Sequence, residues 1–165
     1  MTDAEPKWHV LHVRPRCEKK MADYCRTHGL EHYLPLREET KVYQRRRVTV
    51  QKPLFSGYVF AVFGSDDRAL VLKSNAVVRI LDVTDQRQFV DEVAQIRAAL
   101  LVDPTLGACE AFKQGSRVRI GGGPFQGLEG VVQTVKGKTR VLLNVEMIGQ
   151  AVPVEVSMEL LEAAD

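Results

Sequence analysis

Apolar and polar positions change period several times along the chain. Trp8 to Val13, WHVLHV, alternates and is rich in β-formers, which predicts a strand. Glu18 to His28 has Met21, Tyr24, Cys25 and His28 at helical spacing, with Gly29 where a helix stop belongs, so it predicts a helix with a core-facing stripe. The segment from His32 to Phe55 holds two short extended runs around Gln44-Arg45-Arg46-Arg47, a hairpin or a basic loop. GYVFAVF, Gly57 to Phe63, is nearly continuous in apolar residues, as expected of a buried central strand. Asp66 and Asp67 open a short helix, VVRILDV is a further strand, and the segment from Asp85 to Leu101 is a helix with Phe89, Val93, Ile96 and Leu100 on one face. This order describes an α+β sandwich of about 100 residues.

After Leu101 the texture changes. VDPTLGACEAFKQGS carries proline, two glycines and little periodicity, and predicts a linker. RVRI, LEGVVQTV, RVLLNVEM and QAVPVEV follow as short strands, with turns at Lys136-Gly137-Lys138 and Ile148-Gly149-Gln150, and predict a small barrel. The expected organisation is an α+β domain over 1–101, a linker over 102–113 and an all-β barrel over 114–165. Pro104 and Gly107 in the linker would leave two independently tumbling parts. Runs of valine, interrupting glycines and Pro153 favour strands over helices throughout the barrel region. SMELLEAAD is the one stretch there with helical propensity.

Composition narrows the class. Hydrophobic residues make up 45% and charged residues 27%, ordinary globular values. No apolar run approaches the roughly 20 residues that cross a bilayer, and MTDAEPKW lacks the basic start and apolar core of a secretory signal. Cys17, Cys25 and Cys109 form neither a disulfide framework nor a metal-ligand pattern, so a reduced, cytoplasmic setting is the expectation. The net charge of +2 is uneven. Residues 1–100 hold 17 Lys+Arg against 13 Asp+Glu, and residues 101–165 hold 6 against 8. A mild basic surplus near the N-terminus fits a nucleic-acid footprint or a solvated face.

GGGPFQGLEG, Gly121 to Gly130, gathers five of the chain's 12 glycines. A phosphate loop needs a helix after the glycines, so that backbone N–H groups face the anion. Here a β-branched strand follows, and no Gly-Lys-Ser/Thr closes the loop. The glycines turn the chain, and no cofactor is expected. His9, His12, His28 and His32 show no triad spacing, and His9 and His12 point to opposite strand faces, so no catalytic residue or metal ligand emerges. Nothing in the residues speaks for an enzyme, although a hydrolase or transferase with an unseen site stays as a third reading.

VRIGGGPFQGLEGVV resembles a KOW motif, matching it at Gly123, Pro124, Phe125, Gly127, Gly130 and Val131. Upstream, Trp8-His-Val-Leu, Pro15, Glu18 and PLFSGYVF resemble the N-terminal domain of NusG-family transcription elongation factors, and the resemblance covers residues 7–162. PLFSGYVF, Asp66-Asp67 and NAVVRIL look closest to specialised RfaH-like paralogues. The resemblance implies an antiparallel sheet flanked by helices, followed by a KOW barrel that in RfaH-like proteins can also be an α-helical hairpin. It implies docking on the clamp helices of RNA polymerase's largest subunit through Leu54, Phe55, Tyr58 and Phe60, with suppression of pausing or termination. Phe60 is equally open to a core role, because a strand cannot expose both faces. The resemblance also implies contact with the non-template DNA strand or nascent RNA through Arg14, Arg16, Lys19, Lys20, Tyr24, Ser74 and Asn75. Arg45, Arg46 and Arg47 are further nucleic-acid candidates. Lys19, Lys20 and the arginine tip read more readily as solvated cations than as contacts. Asn75-Ala76 stands where RfaH-like proteins carry arginine and glycine, so readout of the same DNA element is not expected. The KOW domain would recruit a small-subunit ribosomal protein or Rho, with the chain a monomer away from membranes. The alternative is a KOW-containing ribosomal or other RNA-binding protein; most of those are far more basic than this chain, whose pI is about 8.5.

Overall fold

A computed structural model of the chain describes residues 5–164. The first four residues of the N-terminal reading lie outside the described part. Two compact units are present, one of residues 1–36 and 53–86, the other of residues 37–52 and 87–165. The α+β class read from the sequence holds.

The chain begins with β1 (Lys7–Val13), α1 (Glu18–Thr27), β2 (His32–Tyr33), β3 (Leu36–Tyr43) and β4 (Arg46–Pro53), then β5 (Tyr58–Phe63), α2 (Arg68–Leu72) and β6 (Val77–Asp82). In the first unit the strands form one antiparallel sheet ordered β2-β5-β1-β6. Nearly every residue of β5 is apolar, and Val59, Ala61 and Phe63 on one face and Phe60 on the other are buried, so both faces of the strand are covered. On one face Leu11, Val13, Val59, Ala61 and Phe63 pack with Met21 and Cys25 of α1 and Val71 of α2. The Met21/Cys25 stripe is therefore core, and burial pushes the Cys25 thiol up to about 11, which keeps it protonated and inert.

The second unit starts with the hairpin of β3 and β4, a sheet of two strands on its own. Helix α3 (Gln86–Val102) buries Phe89, Val93, Ile96 and Ala99. The C-terminal sheet holds β7 (Cys109–Glu110), β8 (Arg117–Ile120), β9 (Glu129–Val135), β10 (Lys138–Val145), β11 (Gln150–Glu155) and β12 (Leu161–Ala163). Their order is β12-β8-β9-β10-β11-β7, every pairing antiparallel. Val141, Leu142, Leu143 and Val145 of β10 and Ala151, Val152 and Val154 of β11 are buried.

Three features add to the sequence reading. Within SMELLEAAD, Met158–Leu160 is one 3₁₀ turn, and Leu161–Ala163 pairs with β8. An open strand edge outweighs helix propensity over so few residues. Within the expected linker, Cys109 and Glu110 pair with β11 and Asn144 brackets Phe112, its Oδ1 accepting from the Phe112 N–H and its Nδ2 donating to the Phe112 carbonyl. Lastly, polar residues of α3 bond to the C-terminal sheet. The Gln95 side chain donates to the Glu129 carbonyl at 2.7 Å and accepts its N–H at 2.6 Å, completing the backbone bonding at the start of β9. Glu92 accepts the Glu146 N–H at 3.3 Å, and burial raises its pKa. Lys113 holds Glu146 from the other side at 2.9 Å and lowers its pKa. Periodicity located the apolar face of α3 and gave no sign that its polar face is also engaged.

Candidate interface for polymerase and nucleic acid

Three loops of the first unit meet at one end of its sheet. Val13 donates to the carbonyl of Gly57 at 2.8 Å, and Arg14 donates to the carbonyl of Ala76 at 2.8 Å. The loop Arg14–Cys17, the turn Leu54–Gly57 and the loop Ser74–Ala76 are thereby tied together. Glu18 is the buried charged residue among those described, 7% exposed, and its carboxylate accepts the Gly57 N–H at 2.8 Å. That bond anchors the start of α1 to the turn and satisfies the acid where it is buried. Gly57 sits at φ 88°, a conformation that favours glycine.

Both loops beside the turn hold a non-glycine residue in left-handed backbone, Arg16 at φ 64° and Asn75 at φ 61°. Such conformations persist where the surroundings impose them, and they concentrate at functional sites. Ser74 Oγ accepts the Ala76 N–H at 3.2 Å, which fixes the Asn75 loop. Arg14, Arg16 and Asn75 are all exposed, so the structure joins four of the sequence candidates, Ser74 included, into one cationic rim. Lys19 and Lys20 are exposed on the next turn of α1. Tyr24 is engaged differently: its hydroxyl donates to the Leu70 carbonyl at 2.6 Å and its ring lies 4.2 Å from His28. Its polar end is committed to packing α1 against α2.

The four aromatic and apolar docking candidates divide by exposure. Leu54 is 5%, Phe55 1% and Phe60 1% exposed. Phe55 and Phe60 lie 6.4 Å apart, tilted. In this conformation these three offer no surface, and Tyr58 is the half-buried member of the set. Strand register then reveals two residues the sequence reading missed. His12 lies opposite Tyr58 on β5 and opposite Arg79 on β6. The His12 and Tyr58 rings stack at 5.4 Å, and His12 and Arg79 are exposed. Tyr58, His12 and Arg79 thus make a continuous row across three strands at the same end as Arg14. Nothing short of the register places an isolated histidine and arginine beside that tyrosine.

Arg45, Arg46 and Arg47 are exposed at the hairpin tip in the second unit. The glycine-rich segment turns the chain between β8 and β9: Gly123 and Gly127 have φ 81° and 94°, and the Ile120 N–H donates to the Leu128 carbonyl while the Gly127 N–H donates to the Ile120 carbonyl, both at 2.8 Å. Gly130 is needed for space, because a Cβ there would lie 2.7 Å from Val141 Cγ1.

Among known proteins, the family described as transcription termination factor NusG matches residues 6–98. This chain belongs to the NusG family. Three relatives bear the name transcription termination/antitermination protein NusG. The one from Vibrio vulnificus is 25% identical and both chains are fully covered. The one from Borreliella burgdorferi is 22% identical over 94% of this chain and 97% of its own. Its counterpart in Escherichia coli K12 is 25% identical over 99% of this chain and 100% of its own. A solved structure, the MjSpt4:Spt5 complex in conformation B, matches 94% of this chain and 95% of its own at 20% identity and a TM-score of 0.29. Among the described residues no group of His, Cys, Asp and Glu could hold a metal, and no helix is long and apolar enough to cross a membrane.

Proposed function

We propose that this NusG-family chain is a transcription elongation and antitermination factor. Its N-terminal sheet docks on the clamp helices of RNA polymerase's largest subunit and suppresses pausing or termination. The row Tyr58–His12–Arg79 is the docking surface, with Leu54, Phe55 and Phe60 supporting it from within. A stacked aromatic pair on a rigid strand pair gives large contact area at small entropic cost. Arg14, Arg16, Lys19, Lys20, Ser74 and Asn75 line the path of the non-template strand or nascent RNA. The KOW domain, 114–165, recruits a ribosomal protein or Rho, and the N-terminal domain, 1–101, works with it as one monomer in the cytoplasm. No step of this role needs a catalytic residue or cofactor.

The observation that carries the reading is the family match over the same residues that build the exposed row and the cationic rim beside it. Addition of the chain to transcribing RNA polymerase should shorten pauses or raise readthrough; an elongation profile identical with and without it rejects the reading.

The rim makes its own prediction. Arg14→Ala/Arg16→Ala should weaken binding to single-stranded DNA and flatten its salt dependence. Removing one arginine–phosphate pair lowers the slope of log K against log salt by about 0.7. A slope equal to that of the unaltered chain moves the single-strand path elsewhere.

A further inference from the structure

Residues 40–49 of the hairpin, TKVYQRRRVT, hold four cations and no acid. The ribbon they form is a two-stranded sheet joined to neither of the others, a form that is marginal in water unless something stiffens it. Stiffening comes from both ends. At the root Arg37 donates to the carbonyls of Leu106 at 3.0 Å and Thr105 at 2.9 Å, and Glu38 donates its N–H to the Pro104 carbonyl at 2.7 Å. Lys52 holds Glu39 at 2.9 Å and lowers its pKa, so that acid is engaged at the root. At the tip Gln44 and Arg45 have φ 47° and 67°, the paired left-handed backbone of a tight two-residue hairpin turn. Thr40 and Thr49 hydroxyls meet across the strands at 3.5 Å.

A held ribbon then exposes what a free protein has reason to hide. Val42 is 67%, Tyr43 55% and Val48 39% exposed, interleaved with Lys41, Arg46 and Arg47. Because successive side chains of a strand point to opposite faces, Arg46 and Arg47 leave on opposite sides, as do Val42 and Tyr43, while Arg45 heads the turn. A flat anionic surface would meet one face and strand the cations of the other in water. A cleft with anionic walls on both sides meets both. A pleated sheet with side chains on both faces is about 10 Å thick, which suits the DNA major groove, about 12 Å wide, and not the minor groove of about 6 Å.

From this geometry we infer that the β3–β4 hairpin enters the major groove of double-helical DNA tip first. Arg46 and Arg47 reach phosphates of the two opposing strands, Arg45 leads toward the groove floor, and Val42 and Tyr43 cover sugar and base edges. The inference rests on the nucleic-acid part of the proposed function and adds a duplex contact separate from the single-strand rim around Arg14.

Fluorescence anisotropy of the full chain with a short labelled duplex and a matching single strand tests it. Arg45→Ala/Arg46→Ala/Arg47→Ala should weaken duplex binding at least tenfold and lower the salt slope by about 2.7, three phosphates at about 0.9 each. Single-strand binding should stay unchanged in this variant and fall in Arg14→Ala/Arg16→Ala, so the two surfaces fail separately. The triple arginine-to-lysine variant should recover much of the duplex affinity, with circular dichroism confirming the fold. Methyl green, a major-groove ligand, should compete, and netropsin, a minor-groove ligand, should not. Unchanged duplex binding in the alanine variant overturns the proposal. So does competition by netropsin alone, or equal binding of the unaltered chain to polyglutamate, which would make the tip a site for acidic protein.

Discussion

Gly130→Ala should lower the melting temperature of the chain by about 6–12 °C, the equivalent of about 3 kcal/mol in a protein of this size. Gly130 is buried in β9, opposite Val118, with β10 on the other side. Its added methyl would collide with the Leu142 carbonyl oxygen and lie 2.7 Å from Val141 Cγ1 and 3.0 Å from the Leu142 carbonyl carbon. Backbone on the receiving side cannot rotate away as a side-chain tip can, so β9 and β10 must separate. Gly137 is the contrast. It sits at φ 78° with nothing within 4 Å of an added Cβ, so Gly137→Ala should cost only the left-handed penalty, about 1–2 kcal/mol. Thermal melting with hydrogen exchange along β9 and β10 separates the two. Equal, small effects at both positions would mean that the close approach of β9 to β10 is not needed.

Phe55→Ala should destabilise the fold by about 3–5 kcal/mol, whereas Tyr58→Ala should leave the melting curve nearly unchanged. Phe55 is fully buried beside Phe60, so truncation leaves a cavity; the Tyr58 ring is half-buried and stacks on exposed His12. Urea melts of both variants decide this. A mild Phe55→Ala would place that ring at the surface in solution and return it to the docking patch.

Much of this architecture was readable from local pattern. The period-2 run of β1, the apolar β5 and the Met21/Cys25 stripe each depend on neighbours a few residues away, and each forms as expected. The KOW glycines were legible for the same reason, since turn chemistry is local. What escaped was set by tertiary partners. Phe55 looked like an anchor by composition, but its burial depends on how the turn before β5 folds back on the sheet. His12 and Arg79 come to lie beside Tyr58 only through registers linking β1 to β5 and β6. Gln95 and Glu92 occupy ordinary polar positions of a helix, and their bonds to Glu129 and Glu146 have no local signature. The C-terminal SMELLEAAD has helical composition, yet the edge of β8 captures it.

Spectra of residues 108–165 alone should differ from those of the full chain at Glu129 and Glu146, whose partners Gln95 and Glu92 are then missing, and agree at β11.

The most direct measurement is calorimetric titration of the full chain against the isolated clamp-helix coiled coil of RNA polymerase. The unaltered chain should bind, and Tyr58→Ala/His12→Ala should weaken binding by about 30-fold or more, roughly 2 kcal/mol, with the melting curve preserved. No binding by the unaltered chain, or equal affinity in a folded Tyr58→Ala/His12→Ala variant, would contradict the account.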